Sequence, residues 1–134
     1  MKKTAVILFV VLLAQLNAAA QPPAQTDSTG VKAMLDQAEL LQRKLPDSAI
    51  GIYHRAAALS ELISYAPGRI KATAGIAYSF LRKGAYDSSL RWYGMADSLC
   101  TALKEEYLLL DLYSYYSWVL NNQSRFDESL QLCE

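Results

Sequence analysis

The chain has 134 residues, 52% of them hydrophobic and 19% charged, with 13 Lys and Arg balancing 13 Asp and Glu. That is enough apolar material for one buried core of ordinary domain size, and too little charge for a disordered tail. The even balance excludes the basic stripe that grips nucleic acid, and a single histidine with two cysteines leaves little for a metal or catalytic centre.

The first segment, "MKKTAVILFVVLLAQLNAAAQ", has a basic start at Lys2 and Lys3, an apolar run, and small residues before Gln21. This three-part pattern predicts a secretory signal peptide over residues 1–20, cleaved after Ala20. The alternative is an uncleaved anchor, for which the run Ala5 to Ala14 is short of the roughly 20 residues that cross a bilayer. Removing the leader takes two lysines with it and leaves the remainder mildly acidic. Residues 21–29, with Pro22 and Pro23, read as a flexible lead-in. The mature chain is thereby expected to be exported, periplasmic or extracytoplasmic, and without a stable membrane span.

From residue 30 the pattern is helical. Met34, Leu35, Ala38 and Leu41 recur at helical spacing, which predicts a first helix from near Thr29 or Gly30 to about Lys44. Ser28 or Thr29 is placed to cap it, and Pro46 to stop it. A second helix is expected to be capped by Asp47 or Ser48 and to run to about Tyr65. "APGR", Ala66 to Arg69, reads as a turn. A third helix is expected over Ile70 to Lys83, with Thr73, Ile76, Ala77 and Phe80 on one face and the Thr73 hydroxyl bonding back to a preceding carbonyl. Gly84 is expected to end that helix. The fourth helix is expected from Asp87 or Ser88 through Leu103, and the fifth over Glu106 to Asn121. The β-forming content of "YLLL" and "YSYYSWVL" favours strand locally. The lack of two-residue alternation, and the helical reading of "TAGIAYSF" one repeat earlier, decide for helix. "NNQSR" is the next turn, and a last short helix opens at Asp127 or Glu128.

These elements repeat. "DSAIGIYHRAAAL", "YDSSLRWYGMADSL" and "FDESLQLCE" align at an offset of forty residues, with Asp47, Asp87 and Asp127 in one column and Ile50, Leu90 and Leu130 in another. Tyr53 and Tyr93 share a third column, in which Cys133 follows. A fixed period of this length is the mark of a stacked-repeat architecture. The fold class expected is all-α, a solenoid of antiparallel helix pairs over residues 30–134 with its last repeat incomplete. The short last helix also suggests that these residues are the N-terminal part of a longer protein.

The pattern resembles the tetratricopeptide repeat family. Ala77 and Phe80 resemble the small and large residues of the family's first helix. Gly84 and Tyr86 resemble its turn and the aromatic that follows. Ser89, Tyr93 and Ala96 resemble the small–aromatic–small ladder of its second helix. The next unit matches with Ser117, Leu120, Ser124, Phe126, Ser129 and Cys133, and the preceding one with Leu40, Ala49, Tyr53 and Ala56. The departures are Thr73 and Tyr113 in place of a tryptophan, a missing helix-closing proline, and a period of forty against the usual thirty-four. The excess is assigned to longer second helices and their loops. The resemblance implies a right-handed solenoid that binds protein or peptide on the concave face formed by its first helices.

On that face the register selects Lys71, Ala74, Tyr78, Leu81 and Arg82 in one unit and Asp111, Ser114, Trp118, Asn121 and Asn122 in the next. Tyr78, Arg82, Trp118, Asn121 and Asn122 are the binding candidates, since Trp, Tyr and Arg are the usual interface anchors. Trp118 has a competing reading as a residue packed between repeats, and Arg82 as a solvated charge at a helix end. No catalytic residue, metal site or cofactor motif is found. Cys100 and Cys133 read as buried thiols, with a bridge between them as the alternative. The expected function is a non-catalytic, exported interaction scaffold or ligand-sensing module. Similar exported arrays precede signalling outputs, so the resemblance also implies the sensory front of a regulatory protein. The alternative is a carbohydrate- or small-ligand-binding protein using Tyr78 and Trp118 as stacking platforms. Self-association through the last repeat is a further expectation.

Overall fold

A computed structural model describes residues 28–131, so the leader and lead-in up to residue 27, and residues 132–134 with Cys133, lie outside the described residues. The described chain is helical, with no strand: α1 (Ser28–Leu41), α2 (Pro46–Leu62), α3 (Ala66–Arg82), α4 (Tyr86–Leu103), a 3-10 turn (Glu106–Leu108) leading into α5 (Leu109–Asn122), and α6 (Phe126–Gln131). Consecutive helices pair antiparallel, and the pairs stack, with α3 against α1 and α2 and then α5 against α3 and α4. Two core clusters result. Val31, Leu35, Ala38, Ala49, Ile52, Tyr53 and Ala56 of the first hairpin close with Ala72 and Ile76 of the second. Ile70, Ala77, Leu81, Tyr93, Ala96 and Cys100 of the second hairpin close with Leu108, Leu112 and Val119 of the third. Half-buried Trp92 touches both clusters.

The period is finer than forty. From Pro46 onward an element begins every twenty residues, at Pro46, Ala66, Tyr86, Glu106 and Phe126. The cause is a recurring turn. Ser64, Gly84, Lys104 and Ser124 all have positive φ, between 56° and 73°. At Gly84 the amide bonds to Leu81 O, and the next amide, of Ala85, bonds back to Phe80 O. The same pair of bonds forms at Ser64 and Tyr65, at Lys104 and Glu105, and at Ser124 and Arg125. This is the Schellman closure, in which the left-handed residue satisfies the last helical carbonyls. The turn after α1 differs: Lys44 and Leu45 both donate to Leu41 O.

Several local expectations are corrected by this geometry. "APGR" is the first turn of α3, with Pro67 in a first-turn position that needs no amide donor. Pro46 opens α2 rather than stopping α1, which ends at Leu41. Asp47, Ser48, Asp87 and Ser88 lie inside their helices. The caps are Leu45, Tyr65 and Ala85, and none uses a side chain. At Tyr65 and Ala85 the Schellman turn already aims the chain into the next helix, so a side-chain cap is not needed there. The extra length over the usual repeat is not confined to the second helices, since α3 has 17 residues and α4 has 18. Gly84 ends α3 as expected, and Thr73 Oγ1 donates to Arg69 O at 2.9 Å.

Only one of the four left-handed residues is glycine. A β-carbon in that region costs about 1–2 kcal/mol, partly offset by glycine's larger unfolded entropy. Lys104→Gly and Ser64→Gly are therefore each expected to stabilise the fold by about 0.5–1 kcal/mol, and Gly84→Ala to destabilise it, as read from urea midpoints at constant m-value.

The positions of the packing ladder differ in burial. Ala49, Ala56, Ala77, Ser89, Tyr93 and Ala96 are fully buried, Tyr53 and Leu120 nearly so, and Phe80 packs half-buried on the first cluster. Ser89 Oγ crosses to Ala77 O at 2.8 Å, and Ser129 Oγ crosses to Ser117 O at 3.4 Å, the same bond one repeat on. Phe126 and Leu40 are corrections: they are 58% and 81% exposed. Phe126 opens α6, which packs against α5 alone among the described elements.

A candidate binding groove

Two neighbouring pockets along the first helices share Tyr78 and Tyr115 in their walls and together make a groove. Its first part is lined by Glu39, Gln42 and Arg43 at the end of α1, by Tyr53, by Lys71, Ala74, Gly75 and Tyr78 of α3, and by Asp111 and Tyr115 of α5. Its second part, about 420 Å³, is lined by Tyr78, Leu81 and Arg82 of α3 and Ser114, Tyr115 and Trp118 of α5. Tyr78 and Tyr115 belong to both parts. Their rings meet edge to face at 5.5 Å, a geometry that lets the positive edge of one ring point at the face of the other.

The repeat explains how this surface is built and why its halves differ. Tyr53 and Tyr93 occupy one column. The Tyr53 ring sits over Gly75, where an added β-carbon would come within 2.3 Å of the ring. One repeat later Tyr115 stands in place of Gly75, and it stacks parallel to Tyr93 at 6.4 Å. Glycine thus lets the first tyrosine close the wall, whereas Tyr115 is pushed outward and is 48% exposed. The hydroxyls differ as well. Tyr53 donates to Gln42 Oε1 at 2.9 Å. The matching position beside Tyr93 is Arg82, which carries no acceptor, and the buried Tyr93 hydroxyl has no partner. Burial, then Tyr115 and Tyr78 nearby, push the Tyr93 phenol well above its ordinary value, and burial and Glu39 do the same for Tyr53.

Charges are placed unevenly along the channel. The α1 end mixes Glu39 and Asp111 with Arg43 and Lys71, whereas Arg82 is the one charged residue lining the second part.

Tyr78, Arg82 and Trp118, three of the residues singled out by register, line the groove together. Trp118 is 52% exposed, with the remainder of its surface covered. Asn121 and Asn122 do not line the channel. They are exposed at the end of α5, where Asn122 Nδ2 donates to Trp118 O at 2.8 Å and so caps its own helix. Tyr115, Gln42 and Arg43 were not expected in the groove. Tyr115 escapes a register argument because its repeat counterpart is glycine, so no conserved type marks the column.

Nothing in this arrangement assembles reacting groups. Among the described residues no cluster of His, Cys, Asp and Glu stands together in a way that would hold a metal. His54 packs edge-on against Trp92 at 5.3 Å, away from the groove. Cys100 is a buried free thiol whose pKa burial raises, which suppresses the reactive thiolate. No helix among the described residues is long and apolar enough to cross a membrane.

No family model matches the chain, and no curated protein matches its sequence. In fold it is similar to the crystal structure of the TPR (tetratricopeptide repeat) domain of FLU from Arabidopsis, with a TM-score of 0.70 at 15% identity over 78% of this chain and 89% of that one. At that identity the likeness speaks for the fold: paired antiparallel helices stacked in the manner of tetratricopeptide repeats.

Proposed function

We propose that this helix-pair scaffold is an exported interaction module that takes a protein or peptide segment along its first-helix groove. The observation that carries the reading is the aromatic and cationic set of half-buried Tyr78 with exposed Tyr115, Trp118 and Arg82 around one open groove. Half-exposed Trp and Tyr beside Arg combine large contact area with low rotamer cost, the composition of interface hot spots. Export rests on the three-part leader of residues 1–20. A place at the sensory front of a signalling protein follows from the family resemblance.

The test is selection of peptides from a displayed random library on the full chain, followed by affinity measurement. Trp118→Ala is expected to weaken the selected peptides by about 2 kcal/mol, roughly 30-fold. Arg82→Ala should act most on peptides carrying an acidic residue. No enrichment, or peptides indifferent to Trp118, would overturn the reading. Binding of a glycan array in place of peptides would move the assignment to carbohydrate, where the same rings would stack on sugar faces.

A further inference from the structure

The first two hairpins treat the same hydroxyl differently. In the first, Tyr53 donates to Gln42 Oε1 at 2.9 Å, so its phenol is buried and satisfied. Forty residues on, Tyr93 repeats the buried phenol and Arg82 takes the place of Gln42. Arginine has only donors. The exchange therefore turns a closed donor–acceptor pair into two donors. Tyr93 has no exposed surface, and its hydroxyl has no partner among the described residues. The Arg82 guanidinium makes no hydrogen bond or ion pair among them either. A buried orphan donor is uncommon in native proteins, and a bound group is one way to satisfy it.

The hydroxyl lies behind the wall of the groove. The two phenols that act on its ionisation, Tyr115 and Tyr78, are the residues shared by both parts of the groove. Arg82 lines the second part with Tyr115 and Trp118, and it is the one charged residue there. Tyr115 stacks on Tyr93 at 6.4 Å, meets Tyr78 edge-on at 5.5 Å, and is 48% exposed. Its own hydroxyl makes no hydrogen bond among the described residues. Turning this side chain outward therefore breaks ring contacts alone, and those are weak beside a charge-assisted hydrogen bond.

We infer that Tyr93 and Arg82 form a subsite for a carboxylate, supplied by an acidic side chain of the segment docked in the groove. With Tyr115 turned outward, one carboxylate oxygen accepts from Tyr93 Oη and the other from the Arg82 guanidinium. The ligand returns the acceptor that Gln42 provides internally in the first hairpin. A carboxylate suits the pair better than an amide, because both of its oxygens accept and its charge offsets that of arginine. That the carboxylate belongs to a protein segment rests on the groove reading above; the donor pair itself does not.

Two measurements test the subsite. The first needs no ligand. Arg82→Gln restores the pairing of the first hairpin, so it should raise the urea midpoint, and the gain should vanish in a Tyr93→Phe background. Absence of a gain, or an equal gain in both backgrounds, overturns the proposal. The second titrates phenylacetate and its neutral counterpart phenylacetamide into the full chain, read on the Trp118 indole resonance with Trp92 as internal reference. Phenylacetate is expected to bind in the millimolar range, about tenfold tighter than the amide, as a hydrogen bond to a charged group requires. Tyr93→Phe and Arg82→Gln should each shrink that ratio. A ratio near one in the unaltered chain, or one that Tyr93→Phe leaves unchanged, overturns the subsite. Selected peptides that need Trp118 but carry no acidic residue would overturn it while the groove reading stands. A carboxylate preference with no peptide selected would overturn the groove reading and with it the protein segment as source, leaving a site for small carboxylic acids.

Discussion

Tyr93→Ala is expected to lower stability by about 3–5 kcal/mol, the range for emptying a buried aromatic site. Tyr93 has no exposed surface, and its ring lies between those of Tyr115 at 6.4 Å and Tyr116 at 6.0 Å. Both neighbours stand on α5, so the ring is the seam between the second and third hairpins. Urea unfolding should show the midpoint fall. Loss of near-ultraviolet ellipticity should exceed that of one tyrosine, because Tyr115 and Tyr116 lose their fixed stacking partner. The paired control is Tyr93→Phe. A buried hydroxyl without a partner costs about 1–3 kcal/mol, so its removal should be neutral or stabilising. Tyr53→Phe, which removes the donor to Gln42, should instead cost about 0.5–1.5 kcal/mol. Equal costs for the two Phe variants would mean that the Tyr93 hydroxyl has found an acceptor.

Ile76→Ala should cost about 2–5 kcal/mol, and it should change how the molecule unfolds as well as when. Ile76 is 1% exposed and belongs to the core of the first hairpin, although it is carried by α3 of the second. A stacked array is held by interfaces between neighbours, so weakening one of them uncouples its ends. Amides of α1 and α2 should then exchange faster than those of α4, and the denaturant transition should broaden. A uniform loss of protection through all the helices, with an unchanged m-value, would show that the hairpins remain one cooperative unit.

The sequence by itself determined the repeat and therefore the helical fold. Offsets of forty residues are local information, preserved however the chain is packed, and they outweighed the β-forming content of α5. The buried columns of Ala49, Tyr53, Ala56, Ala77, Ser89, Tyr93 and Ala96 were legible for the same reason, since each lies on the helix face that closes a hairpin.

The tertiary structure alone decided what depends on a neighbour. Helix starts were misplaced by one to four residues; from α3 onward they are set by left-handed turn closures rather than by the polar residues that look like caps. Phe126 carries the right type for packing, yet it is 58% exposed among the described residues, because burial is set by the neighbouring elements rather than by residue type. Asn121 and Asn122 share the register of the groove, yet the helix ends there, and Asn122 uses its amide on Trp118 O. Tyr115 entered the groove because its repeat counterpart is Gly75. A tyrosine ring must be displaced where a missing side chain lets the preceding tyrosine in, and that displacement is a three-body packing effect that no periodicity records.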